Sequence, residues 1–186
     1  AVDRLLLAGG RAVWVGTGQH CPTASLVDVA PDRRVLERID LARGFTAYQH
    51  LALVDDLHEQ VDDDTAVVVV PAVDARYRED VEGAEGRELL ARALAGLARV
   101  GREHGVPVLC TRTAADELAE PAAAAAASTL AVRETPMGPR FVGEEFETLV
   151  YPLEGDWVQT TIAFWREVLT ARRPLHETEV TARGSV

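Results

Sequence analysis

The stretch "TAVVVVPAVDARYRED", residues 65–80, runs an alanine and four valines into Pro71 and then into a charged segment. Branched side chains at Cβ favour extended backbone. A run with no polar alternation reads as a strand buried on both faces, as in a parallel sheet covered by helices. Pro71 has no N–H, so the ladder is expected to stop there. In open α/β sheets, ligands gather beyond the carboxyl ends of strands. Asp74, Arg76, Arg78, Glu79 and Asp80 are therefore the first candidates for a site. The same five residues also read as an exposed, salt-bridged loop.

Working outward from this strand, the chain alternates helix and strand signals. Residues 3–8 look like a helix end stopped by Gly9-Gly10, and "RAVWVG" follows as a strand ending in glycine. "VLERIDLARGF" predicts a short helical turn and a second strand. Thr46 can then cap a helix carrying Leu51, Val54 and Leu57 at helical spacing. From Glu82 to His104, the residues Leu90, Leu94, Leu97 and Val100 share one face, and Gly105 sits where a C-cap glycine belongs. "VPVLCT" is a fourth strand, with a short polar helix and an alanine tract after it.

Beyond the alanines, "TLAVRET", "PRFVGEE" and "FETLVYPL" alternate like strands, with "PMG" as a hairpin turn. Trp157, Thr161, Trp165, Val168 and Leu169 form one stripe of a closing helix that Asp156 would cap. The pattern predicts an α/β fold whose mostly parallel sheet has helices on both faces and an antiparallel C-terminal extension. Residues 1–172 read as one domain and 173–186 as a polar, flexible tail.

With 30 acidic against 19 basic residues, the net charge of −11 argues against a simple DNA-coating or anionic-membrane protein. There is no lysine and no asparagine, so every basic residue is arginine. This composition looks like that of cytoplasmic proteins from salt-loving archaea, whose acidic surfaces are matched to concentrated salt. Cys21 and Cys110 form no pair at ligand or disulfide-framework spacing, which fits a reducing cytoplasm. The run "PAAAAAASTLAV" is too short and alanine-rich to span a bilayer, and no secretory leader opens the chain. Because the chain starts at Ala1 inside the apolar pattern "VDRLLLAGG", its natural amino terminus is expected to extend upstream.

Five phrases in order resemble the ATPase core of the RecA/RadA recombinase family, over residues 11 to 151 or so. "GRAVWVGTG" is similar to the family's first strand after its P-loop, which normally ends in Asp-Thr-Glu-Gly. "ARGFTAYQH" is similar to an Ala-Arg-Ala-Phe phrase followed by a His-Gln pair, inverted here as Gln49-His50. "TAVVVVPAVDARYRED" resembles the Walker B strand, which continues into Asp-Ser and a segment ending in Phe-Arg or Tyr-Arg. "VPVLCTRT" falls at the strand ending in Thr-Asn-Gln, and "AAASTLAVRE" resembles the Ala-Ser-Thr lead into the last strands. The resemblance implies a three-layer α/β/α core of the P-loop type.

Carried over residue by residue, the resemblance mostly implies losses. Gly18 stands at the glutamate that orients the attacking water, and glycine has no group to polarise it. Pro71 stands at the Walker B aspartate that supports magnesium. Thr113 falls at the γ-phosphate-sensing glutamine, and the arginine near the adenine falls at about Ser25. The GxxxxGK[ST] loop is absent from these residues and would lie upstream of Ala1. The resemblance thus implies a remnant nucleotide site of Thr17, Gly18, Gln19, Pro71, Asp74, Thr111 and Thr113, with no catalytic and no metal-binding residue. No cofactor is expected, and ATP with magnesium is expected only if a P-loop precedes residue 1.

Other signals stay open between site and scaffold. "GTGQH", residues 16–20, can be a phosphate loop or a plain turn. Arg43, Arg76, Arg78, Arg112 and Arg133 can contact a partner or phosphate, or simply solvate the surface. His20 beside Cys21 has no second ligand pair. "DDLHEQVDDD", residues 55–64, can attract cations or end a helix. No GxSxG or HExxH supports a standard hydrolase. The resemblance points to a non-catalytic module of archaeal DNA recombination or repair, partnered by a RadA-like recombinase or by itself, with DNA contact left open. The alternative is a nucleotide-binding ATPase that uses an upstream P-loop and the displaced carboxylates Asp74 or Asp80.

Overall fold

The computed structural model describes residues 9–20, 23–30, 33–136, 138–144, 147–152, 158–160 and 170. Chain contacts divide the protein into two compact units, Ala1–Ala125 and Ala126–Val186. In the first unit, strands β1 (Arg11–Thr17), β2 (Ile39–Gly44), β3 (Thr65–Val70) and β4 (Val108–Cys110) form a wholly parallel sheet in the order β2-β1-β3-β4. The valine run is the interior strand β3, and all six of its residues are buried.

Helices α1 (Thr23–Val29) and α2 (Arg33–Leu36) connect β1 to β2, and α3 (Ala47–Asp55) and α4 (Leu57–Gln60) connect β2 to β3. After β3 come α5 (Ala75–Glu79) and α6 (Gly83–Glu103), and α7 (Glu120–Ala125) follows β4. Two clusters fill the core. The larger joins Val13, Val15, Val68 and Val70 to Leu51 and Val54 of α3 and to Leu90, Leu94, Leu97 and Val100 of α6. The smaller lies around Ala12, Val67, Val69 and Val35. Alternate residues of β1 and β3 therefore bury on opposite faces, as expected of a sheet covered on both sides.

Local chemistry explains where the elements begin and end. The Thr46 side chain accepts from the Gln49 N–H and starts α3, and the Gln49 side chain accepts from the Phe45 N–H. Leu57, expected on the same helix, instead begins α4 after a break at Asp56, and it is still buried. Helix α6 ends at Gly105, whose φ of 63° suits a residue without Cβ. The expected polar helix after β4 is a turn. The helix lies on the alanine tract itself, with Pro121 in its first turn, where a missing N–H costs no hydrogen bond.

The second unit holds an antiparallel sheet of its own, in the order β5-β6-β7-β8. Its strands are β5 (Ala131–Thr135), β6 (Gly138–Val142), β7 (Glu147–Pro152) and β8 (Val158–Thr160). The "PMG" hairpin appears as expected, with the Thr135 hydroxyl donating to the Gly138 carbonyl at 2.7 Å. The closing helix does not begin at Trp157, because Val158–Thr160 pair with β7 as a strand. Their alternation suits a sheet edge as well as a helix stripe over so few residues. Asp156, Trp157 and the stripe from Thr161 to Leu169 lie outside the described residues, as do the expected first helix at 3–8 and the tail 173–186.

Candidate functional site at the carboxyl ends of the parallel strands

The parallel sheet aims the ends of β1, β3 and β4 in one direction, and most of the sequence candidates fall there. Thr17 closes β1 and is fully buried, with its hydroxyl lacking a partner among the described residues. Gly18, at φ 43°, opens a single 3-10 turn through His20, with Gln19 exposed. A Cβ at Gly18 would lie 2.9 Å from Arg76 Nη2, because the Arg76 guanidinium fills the space over this turn.

At the end of β3 the chain stays bound to β4 despite Pro71. The Thr111 N–H donates to the Val70 carbonyl at 3.2 Å, and the Val73 N–H donates to the Thr111 carbonyl at 2.8 Å. The Ala72 N–H donates to Thr111 Oγ1 at 2.8 Å, which holds Ala72 at the left-handed φ of 49°. The proline thus ends the strand without freeing the backbone beyond it.

Asp74 is buried, and the exposed loop expected from sequence is helix α5 beginning just beyond it. The carboxylate accepts four hydrogen bonds. The Thr113 N–H and hydroxyl each donate at 2.7 Å, and Arg78 donates from Nη2 at 2.8 Å and Nε at 3.2 Å. Burial by itself would raise the Asp74 carboxyl, but the Thr113 and Arg78 bonds outweigh it and hold it below the usual range. Arg78 also grips Asp116 through Nη1 at 2.6 Å and Nη2 at 2.9 Å. These bonds pull Asp116 down to about 2 and push Arg78 further up.

Arg76, two residues earlier on α5, leans the other way. Its Nη2 contacts Glu79 at 2.6 Å, and Nη1 reaches Asp80 at 3.4 Å and the Phe45 carbonyl at 3.4 Å. Its Nε is buried without a partner among the described residues. Asp80 in turn accepts from the Ala47 N–H at 2.9 Å, a free amide of the first turn of α3.

Beneath α5 lies a buried polar pair. His50 Nδ1 and the Tyr77 hydroxyl are 2.8 Å apart, with their rings edge to face at 5.5 Å between centroids. Burial lowers His50 to about 4 and raises Tyr77. The His50 backbone approaches so closely that a Cβ at Gly44 would lie 2.8 Å from His50 Cα.

The structure therefore brings together Thr17, Gly18, Pro71, Asp74, Thr111, Thr113, Arg76 and Arg78. Arg112 donates to the Ala119 carbonyl at 3.3 Å, within the loop after β4. Arg43 is exposed on edge strand β2, and Arg133 is exposed on β5 of the second unit. Asp116 and the Phe45 carbonyl were missed in the sequence, where neither carries a local signal. The Asp74–Arg78 pair, by contrast, has the i,i+4 spacing of a helical ion pair.

Pro71 offers no carboxylate, Asp74 is buried and engaged on both oxygens, and a guanidinium covers Gly18. Among the described residues, no three His, Cys, Asp or Glu side chains are placed to hold a metal ion, and no helix is long and apolar enough to cross a membrane. The protein-family model described as Rad51 matches residues 8–152. No curated protein matches the chain.

Proposed function

We propose that this chain, which belongs to the Rad51 family of RecA-like recombinases, is a non-hydrolysing member that serves as a binding or regulatory module in archaeal DNA recombination or repair. One observation carries the reading. The position at which the family's attacking water would be polarised is Gly18, and the space beside it holds Arg76, a cation already paired with Glu79. A cation there offers no base to a water molecule. The displaced carboxylates that an active ATPase would need are engaged as well, Asp74 by Thr113 and Arg78 and Asp80 by Arg76 and the Ala47 N–H.

Partner binding is supported by exposed apolar side chains at a sheet edge that no described strand pairs. Phe45 and Tyr48 are 63% and 57% exposed next to β2, and Leu41 on that strand is 38% exposed. A RadA-like recombinase or a second copy is the expected partner, and the acidic, lysine-free composition is read as adaptation to a salt-rich archaeal cytoplasm. The test is a phosphate-release assay with ATP and magnesium in molar KCl, with and without single-stranded DNA, alongside co-sedimentation with the recombinase. Binding without turnover supports the reading. Turnover above the background of a protein-free control overturns it.

A further inference from the structure

Helix α5 is only five residues long, yet its two arginines reach beyond the ends of β1, β2 and β4. Arg76 lies on the Gly18 turn after β1 and donates to the Phe45 carbonyl after β2. Arg78, through Asp74, holds Thr113, and it holds Asp116 directly, both beyond β4. The helix itself follows β3 and stays joined to β4 through the Thr111 bonds to Ala72 and Val73.

In a sheet built to bind at its strand ends, loops there are ordered by the ligand and loosen without it. Here the ordering groups are covalently part of the chain. Extensive pairing within α5 explains why Arg76 stays in place. Glu79 and Asp80 neutralise it along its own helix, and only 17% of its side chain is exposed. Gly18, just after β1, leaves this space to Arg76, since a Cβ there would lie 2.9 Å from the guanidinium.

We infer that Arg76 and Arg78 form a built-in bracket that replaces a ligand in ordering the strand-end loops, so that this face holds one conformation irrespective of nucleotide. This deepens the reading of the domain as non-hydrolysing and rests on it. A partner that docks here meets a constant surface, and its binding is not switched by ATP.

Amide hydrogen exchange on the full chain in molar KCl tests this. In the wild type, amides of residues 16–20 and 111–116 should exchange at the same rates with no addition, with ADP and with ATP plus magnesium. In Arg76→Gln, exchange at residues 16–20 should speed up about tenfold or more while that of α6 stays unchanged. In Arg78→Gln, the same should happen at residues 111–116. Slowing of these amides by nucleotide in the wild type overturns the inference, as do variants whose loops exchange like the wild type. The wild-type comparison needs no variant to fold. If phosphate is released in a parallel assay, the non-hydrolysing reading fails too. Without release, loss of the exchange pattern sinks the bracket alone.

Discussion

Gly18 and Ala72 share a left-handed backbone, and they respond oppositely to substitution. Gly18→Ala places a Cβ at φ 43° against Arg76 and should cost about 1–2 kcal/mol in urea unfolding. Ala72→Gly relieves the same conformation at φ 49° and should add about 0.5–1 kcal/mol of stability, seen as a higher urea midpoint. His50 sets the pH response. Its folded pKa of about 4 lies below its ordinary 6.5, so the unfolded chain binds the extra proton between these values. The stability is whole above pH 6.5 and falls by up to about 3 kcal/mol as pH drops towards 4. Asp74 and Asp116, whose carboxyls are lowered, act in the same direction at lower pH. In His50→Gln, the slope of the urea midpoint between pH 6.5 and 4 should largely disappear. That Gly18 and Pro71 carry no carboxylate was legible in the sequence, since a side chain's chemistry is a property of one residue. The pairing of His50 with Tyr77 was not, because the two lie 27 positions apart, although His50 shares the helix face of Ala47, Leu51 and Val54.

Among the elements, α5 depends most on contacts beyond itself. At five residues it is too short to be stable alone, and its sequence signals are the ion-pair spacings of Asp74–Arg78, Arg76–Glu79 and Arg76–Asp80. Asp74→Ala should therefore leave Arg78 held by Asp116 alone and remove the acceptor for Thr113. A loss of about 2–4 kcal/mol in chemical unfolding is expected, against well under 1 kcal/mol for the exposed Glu117→Ala. Parity between the two would show that the buried carboxylate is energetically idle. The long helix α6 was readable in advance from an apolar period held over many residues, and β3 from an unbroken run of branched side chains. Short elements were not, as α7 and β8 show. Helix α7 sits on alanines that carry no face, and β8 is a three-residue strand inside what read as a helical stripe.

For the whole molecule, net charge and sheet topology carry different information. A net charge of −11 implies mutual repulsion across the surface, which salt shortens from a reach of about 10 Å at 0.1 M to about 3 Å at 1 M. The urea midpoint should rise with KCl over this range. A fall would show that exposed ion pairs such as Arg11 with Asp40 and Asp62 outweigh the repulsion. The sequence alone determined the α/β class, the positions of the parallel strands and the lack of a carboxylate at Gly18 and Pro71. Each follows from residue type or from apolar spacing along a short window. Only the tertiary structure decided what stands in their place. Arg76 reaches Phe45 across 31 positions, Arg78 reaches Asp116 across 38, and Thr113 reaches Asp74 across 39. Hydrogen bonding over such separations leaves no periodic trace in a chain, and it exists only where the parallel sheet brings the strand ends to one side.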